Sequence, residues 1–100
     1  MINILAKGGI IMYACVKLNE KDTVATVTKE LAKGDVIKYK FKGDIFSLTT
    51  ITGVPVYHKI ALNNIEKGSP VFKYGQRIGY ALRDIKMGEH VHTQNLDSKM

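Results

Sequence analysis

Apolar and polar residues alternate along this chain in short runs, and no run has both the length and the 3.6-residue period of an amphipathic helix. Residues 13–18, 23–28 and 44–51 carry the β-branched and aromatic content of strands. Later runs at 56–62, 70–74, 77–82 and 89–93 are short and are separated by turns, most of them containing glycine. The pattern predicts roughly seven or eight short strands, with no helix longer than two turns. The expected fold class is therefore all-β: one small domain of short strands joined by glycine turns and short helical turns.

Part of the pattern repeats. The run from Ala61 to Gly68 is echoed from Ala81 to Gly88, twenty positions later, and each copy continues to a valine, Val71 and Val91. Leu31, Gly34 and Ile37 align with Ile65, Gly68 and Val71, thirty-four positions on. Each copy reads as one physical unit. An apolar residue plugs the core, a tight turn follows, and a glycine takes the φ > 0 position that sends the chain into the next strand. Pro55 is expected at a strand start or edge, where its missing N–H costs nothing.

One hundred residues allow a single domain with a small core. Residues 1–11 look unlike the rest. Lys7-Gly8-Gly9 is what a purine-rich bacterial ribosome-binding site spells when translated, shortly before Met12. Two readings are open: Met12 is the native start, or residues 1–11 are a flexible or strand-forming extension. The domain is expected over 12–96, with 97–100 a flexible C-terminus. Cys15 is the one cysteine, which excludes an intrachain disulfide and fits a reducing cytoplasm. No apolar stretch approaches the roughly 20 residues that span a bilayer, so no membrane partner is expected.

The net charge of +6 favours acidic partners. Lys38, Lys40 and Lys42 alternate with Tyr39 and Phe41, which on one strand puts three cations on one face and two aromatics on the other. The sequence holds no recognised nucleic-acid module, and none is expected to bind.

His58-Lys59-Ile60-Ala61, the Gly68 turn, Lys73-Tyr74-Gly75, Ile78-Gly79, Ala81, Ile85, Gly88, Val91-His92 and Asn95 together resemble the small SAF-type domain of altronate and galactarate dehydratases. The same residues are similar to separate small subunits of two-component relatives, including the sulfolactate sulfo-lyase alpha subunit. The resemblance runs from Tyr13 to Leu96. It implies a β-clip fold, a cytoplasmic location and a role in sugar-acid dehydration beside a large catalytic dehydratase subunit on another polypeptide. Any divalent metal, iron or manganese, is placed by it on that large subunit, with no cofactor in this chain. One position departs: the family commonly ends the motif Val-His-x-His-Asn, and here Gln94 stands at the second histidine. Glutamine hydrogen-bonds but ligates transition metals poorly.

Dehydrating a hydroxy acid needs a base near the acidic C–H, a holder for the carboxylate, and help for the departing hydroxyl. His58 and His92 are the candidates for proton transfer, Lys59 and Lys73 for the substrate carboxylate, and Tyr74 for a hydrogen bond. For each there is a structural alternative, and Lys73-Tyr74-Gly75 reads equally well as a tight turn. His90 and His92 alternate and so share a strand face. No cysteine or carboxylate at helpful spacing completes a ligand set, so no metal site is expected in this chain. The leading function is the small subunit of a two-component sugar-acid dehydratase, completing or capping a site on the large subunit. The alternative is a stand-alone SAF domain acting as a carbohydrate-binding or assembly module. Homo-oligomerisation is left open.

Overall fold

A computed structural model describes residues 10–99. Among them are nine strands and no helix: β1 (Ile10–Met12), β2 (Val24–Thr26), β3 (Val36–Phe41), β4 (Asp44–Thr49), β5 (Lys59–Ala61), β6 (Pro70–Lys73), β7 (Gln76–Ala81), β8 (His90–Val91) and β9 (Leu96–Asp97). They form three small sheets, ordered β1-β3-β4, β2-β5-β8 and β6-β7-β9. The all-β expectation holds.

The β2-β5-β8 sheet divides the hydrophobic interior. Successive side chains of a strand point to opposite faces. Ala25 and Ile60 accordingly enter one core, with Cys15, Val27, Leu31, Ile37, Leu48, Val54 and Leu62. Their neighbours Val24 and Ala61 enter the other, with Ile65, Val71, Ala81, Ile85 and Val91. A short sheet buried on both faces holds its strands in fixed register, and His58, Lys59, His90 and His92 lie at or next to the ends of β5 and β8.

The sequence repeat is a structural repeat. Each copy makes one turn closed by a backbone bond: Asp35 N–H donates to the Ala32 carbonyl, Ser69 to Glu66 and Glu89 to Lys86, at 3.1, 2.9 and 3.0 Å. The glycine at the third position of each has φ of 92° (Gly34), 85° (Gly68) or 90° (Gly88), the conformation a type II turn requires. These are single turns and not helices, as expected. Each docks by the same two bonds. The glycine N–H donates to the carbonyl of a residue in or just after a strand (Thr50, Ala81 or Ala61), and that residue's own N–H donates to the carbonyl of the residue after the glycine. The plugs Leu31, Ile65 and Ile85 and the later apolar positions Ile37, Val71 and Val91 are all buried.

Three expectations are corrected. Residues 13–18 do not form a strand: Tyr13 has φ of 58°, which breaks the extended run, and only an isolated Cys15–Val27 bridge remains. The N-terminal strand lies earlier, at Ile10–Met12, in parallel register with Val36–Lys38 of β3. Residues 1–9 of the expected extension, and the question of the native start, lie outside the described residues. Secondly, Lys42 does not share a strand face with Lys38 and Lys40. It sits with Gly43 in a two-residue hairpin loop, both at positive φ, and its Nζ lies 2.9 Å from Glu20. Finally, Asp97 of the expected flexible C-terminus belongs, with Leu96, to strand β9, paired with Tyr80 and Ala81 of β7.

Candidate functional site

All three histidines of the chain meet in one place. His58 closes the turn that feeds β5, its N–H donating to the Pro55 carbonyl (3.1 Å) and its carbonyl accepting from Val27 (2.9 Å). β5 and β8 pair antiparallel, Lys59 opposite Val91 and Ile60 opposite His90. That register sets the start of β5 beside the end of β8. His58 Nδ1 then lies 2.9 Å from His90 Nε2, and the His58 ring stacks on His92 with centroids 4.0 Å apart and planes 19° from parallel. One nitrogen from each ring falls within 4.8 Å of the others, all three side chains being half-buried.

The loop carrying His90 and His92 is held by buried polar groups. Asn95 is fully buried. Its Oδ1 accepts from the His92 N–H (3.0 Å) and its Nδ2 donates to the His90 carbonyl (2.9 Å). Glu89 Oε1 accepts from Lys86 N–H (3.0 Å), while Oε2 lies 3.1 Å from the Arg83 guanidinium. Thr52 Oγ1 accepts from the His90 N–H at 2.9 Å. Gln94 reaches back to the cluster, its Nε2 lying 3.3 Å from His90 Nδ1.

Electrostatics favour the neutral form of His90 and His92. Burial, then the neighbouring His58, His92 and Lys59, push His90 below the ordinary histidine value against the pull of Glu89. His92 is lowered by desolvation, then by His58 and Lys59. Lys59 is itself lowered, first by burial and then by the charge of Lys73. His90 and His92 are therefore biased toward the neutral form beside Lys59, with Lys73 near enough to repel it, an arrangement that draws anions.

Of the five residues singled out from the sequence, the fold brings His58, His92 and Lys59 together and sets Lys73 close enough to repel Lys59. Tyr74 is different. With Gly75 it forms a hairpin loop at φ of 55° and 79°, and its ring contact is with Lys73 Nζ, 5.3 Å from the centroid. Its neighbour Gly75 is anchored through the buried Asp22, whose Oδ1 accepts from the Gly75 N–H at 2.7 Å. Sequence reasoning paired His90 only with His92 and looked for further ligands at local spacing. It missed the juxtaposition with His58, 32 residues away, and the clamping role of Asn95, whose signal was its place at the end of the histidine motif. A groove of about 380 Å³ between the Ile65 and Ile85 turns is lined by none of these residues.

Known proteins are similar to this chain. The (2R)-sulfolactate sulfo-lyase subunit alpha of Paracoccus pantotrophus is 41% identical over 54 residues, covering 54% of this chain and 81% of that subunit. Altronate dehydratase of Escherichia coli K12 is 41% identical over 80 residues, which is 80% of this chain but 15% of the enzyme. Its Bacillus subtilis counterpart is 29% identical over 89 residues, or 17% of its length. The chain thus spans under a fifth of the two dehydratases. The family model described as the altronate/galactarate dehydratase SAF domain matches residues 13–99, nearly everything the structure describes. With its turn repeat, its histidine motif and its all-β architecture, the chain belongs to the SAF domain family of altronate and galactarate dehydratases.

Proposed function

We propose that this chain is the small component of a two-part cytoplasmic hydro-lyase, which eliminates water from an altronate- or galactarate-like sugar acid, and that it completes or caps the active site of a large catalytic chain. The observation that carries this reading is the cluster of half-buried imidazoles beside Lys59, in which His90 and His92 are biased toward the neutral form and so offer no strong acid for the departing hydroxyl, a group that has to come from elsewhere. The organisation has a parallel in the sulfo-lyase alpha subunit, most of whose length this chain matches. A docking surface is also at hand: β4 is the outer strand of its sheet in the order β1-β3-β4 and exposes Ile45 and Phe46.

Eliminating water from a 2,3-dihydroxy acid breaks the C2–H and C3–O bonds and yields an enol that becomes the 2-keto acid. Lys59 and Lys73 attract the carboxylate, and the histidine cluster hydrogen-bonds the departing hydroxyl, which leaves as water with a proton from an acid of the large chain. The base for the C2 proton comes from the large chain.

The test is reconstitution. The chain is mixed with a large dehydratase polypeptide from the same source, association is followed by gel filtration, and 2-keto acid is assayed from altronate, galactarate and, for sulfite release, sulfolactate. We expect a complex whose turnover needs both parts. In it, His58→Ala lowers kcat about 100-fold and Lys59→Ala chiefly raises KM. No association and no effect on turnover would overturn the reading, and saccharide binding by the chain alone would favour a stand-alone carbohydrate module.

A further inference from the structure

We propose that His58, His90 and His92 bind a divalent first-row transition metal ion as a three-imidazole site within this chain. The inference stands on the residues themselves and holds whichever acid is processed. Resemblance to the dehydratases puts any metal on the larger partner, whereas the geometry here supplies a donor set of its own.

Two imidazole nitrogens on one ion, each about 2.0–2.1 Å from it, stand about 3.0–3.4 Å apart in adjacent positions. His58 Nδ1 and His90 Nε2 are already 2.9 Å apart, and no ligand-atom pair in the trio exceeds 4.8 Å. Closing the widest gap asks for a ring rotation of His92. That residue uses its backbone N–H in a hydrogen bond, and among the described residues its ring is engaged in stacking. The backbones are firmly held, by the β5–β8 ladder, Asn95 and Thr52, so the three rings are presented from fixed points.

The far edge of His90 is also provided for. A ligating histidine commonly gives its other ring N–H to an oxygen acceptor, which fixes the tautomer. The Gln94 amide lies 3.3 Å from His90 Nδ1. Turned over, it offers Oε1 to an Nδ1–H and leaves Nε2 free for the ion. Gln94 then orients a ligand, without being one. Lys59 opposes a cation here, but three direct imidazole bonds outweigh one half-screened ammonium. Three protein ligands leave at least one position open, the arrangement of reactive and not of purely structural sites. Imidazole-only ligation selects zinc, iron, cobalt or nickel over magnesium and calcium, which require oxygen.

The experiment needs no partner and no activity. Purified, untagged, metal-free full-length chain is titrated with Co²⁺ and followed by visible absorption and calorimetry, with Zn²⁺ as competitor and Mg²⁺ as control. The expected result is one Co²⁺ per chain with a visible ligand-field band, displaced by Zn²⁺ and unaffected by Mg²⁺. His58→Ala, His90→Ala and His92→Ala should each weaken Co²⁺ binding at least ten-fold. Circular dichroism establishes that each variant is folded, and His58→Asn, His90→Asn and His92→Asn replace any that is not. Absence of a band and of binding heat, or equal affinity in a folded variant lacking all three histidines, overturns the proposal. Failure of the chain to join a large dehydratase leaves this result standing, so the two readings fail separately.

Discussion

Asp22 is a carboxylate with 1% of its surface exposed, and it is accommodated because backbone N–H groups surround it. Leu18 and Asn19 donate to Oδ2 at 3.1 and 3.0 Å, and Gly75 donates to Oδ1 at 2.7 Å. One side chain thereby ties the 19–22 turn to the hairpin that follows Lys73, and so helps set the second ammonium of the site. Asp97 works at the surface. The Lys99 N–H, and after it the Tyr80 hydroxyl, hold its carboxyl below the ordinary value of 3.8. The unfolded chain binds this proton more readily. The stabilisation is therefore present above the unfolded value near 3.8 and is lost as pH falls through the lowered folded value. Carboxyl NMR titration should find Asp97 below its value in the unfolded chain. Tyr80→Phe should restore only part of the difference, because the Lys99 N–H remains; an unmoved Asp97 in that variant would leave the hydroxyl without a role.

The three turn units look interchangeable, yet their surroundings differ. All three glycines sit near φ of +90°, but an added Cβ meets nothing within 4 Å at Gly34 or Gly68, whereas at Gly88 it runs into the Thr49 carbonyl oxygen. Gly34→Ala should cost about 1–2 kcal/mol, the left-handed penalty of an L side chain. Gly88→Ala must in addition push away the 49–51 segment, whose Ile51 N–H donates to the Gly88 carbonyl at 3.0 Å. Urea unfolding of the two variants should rank Gly88→Ala well below Gly34→Ala in midpoint. Equal losses would mean that backbone conformation alone sets the cost. Because Gly88 precedes the histidine loop by two residues, its variant should also disturb the site, while Gly34→Ala should leave it intact.

Two cores on either side of one three-stranded sheet make the molecule a single cooperative unit, since β2 and β5 contribute to both. Cys15 offers a probe of that unity. Burial pushes its thiol up to about 12 from 9.0, and it bridges to Val27 in the interior. A shift of that size lowers the thiolate fraction near pH 8 by about a thousand-fold. Native chain should therefore react with an aromatic disulfide reagent only through opening, at a rate that follows global unfolding as urea is added. Labelling at the rate of an exposed thiol would show that this core opens by itself.

Strands, turns and core positions were legible in the residues because they depend on local rules. Alternation marks a half-buried strand, and a glycine after a plug residue marks a left-handed turn, so Leu31, Ile65 and Ile85 were readable as one repeated unit. The run at 13–18 misled because its composition suits a strand, while the Tyr13 N–H bonds the Lys38 carbonyl and the chain turns there. The histidine trio was half visible: His90 and His92 share a face by alternation, but His58 joins them only through the register of β5 on β8. The sequence by itself determined the all-β class, the turn units and the chemical character of the candidate residues. Tertiary structure alone decided that the three histidines, from segments 32 residues apart, meet in one place, because strand pairing brings together residues whose separation along the chain carries no trace of it.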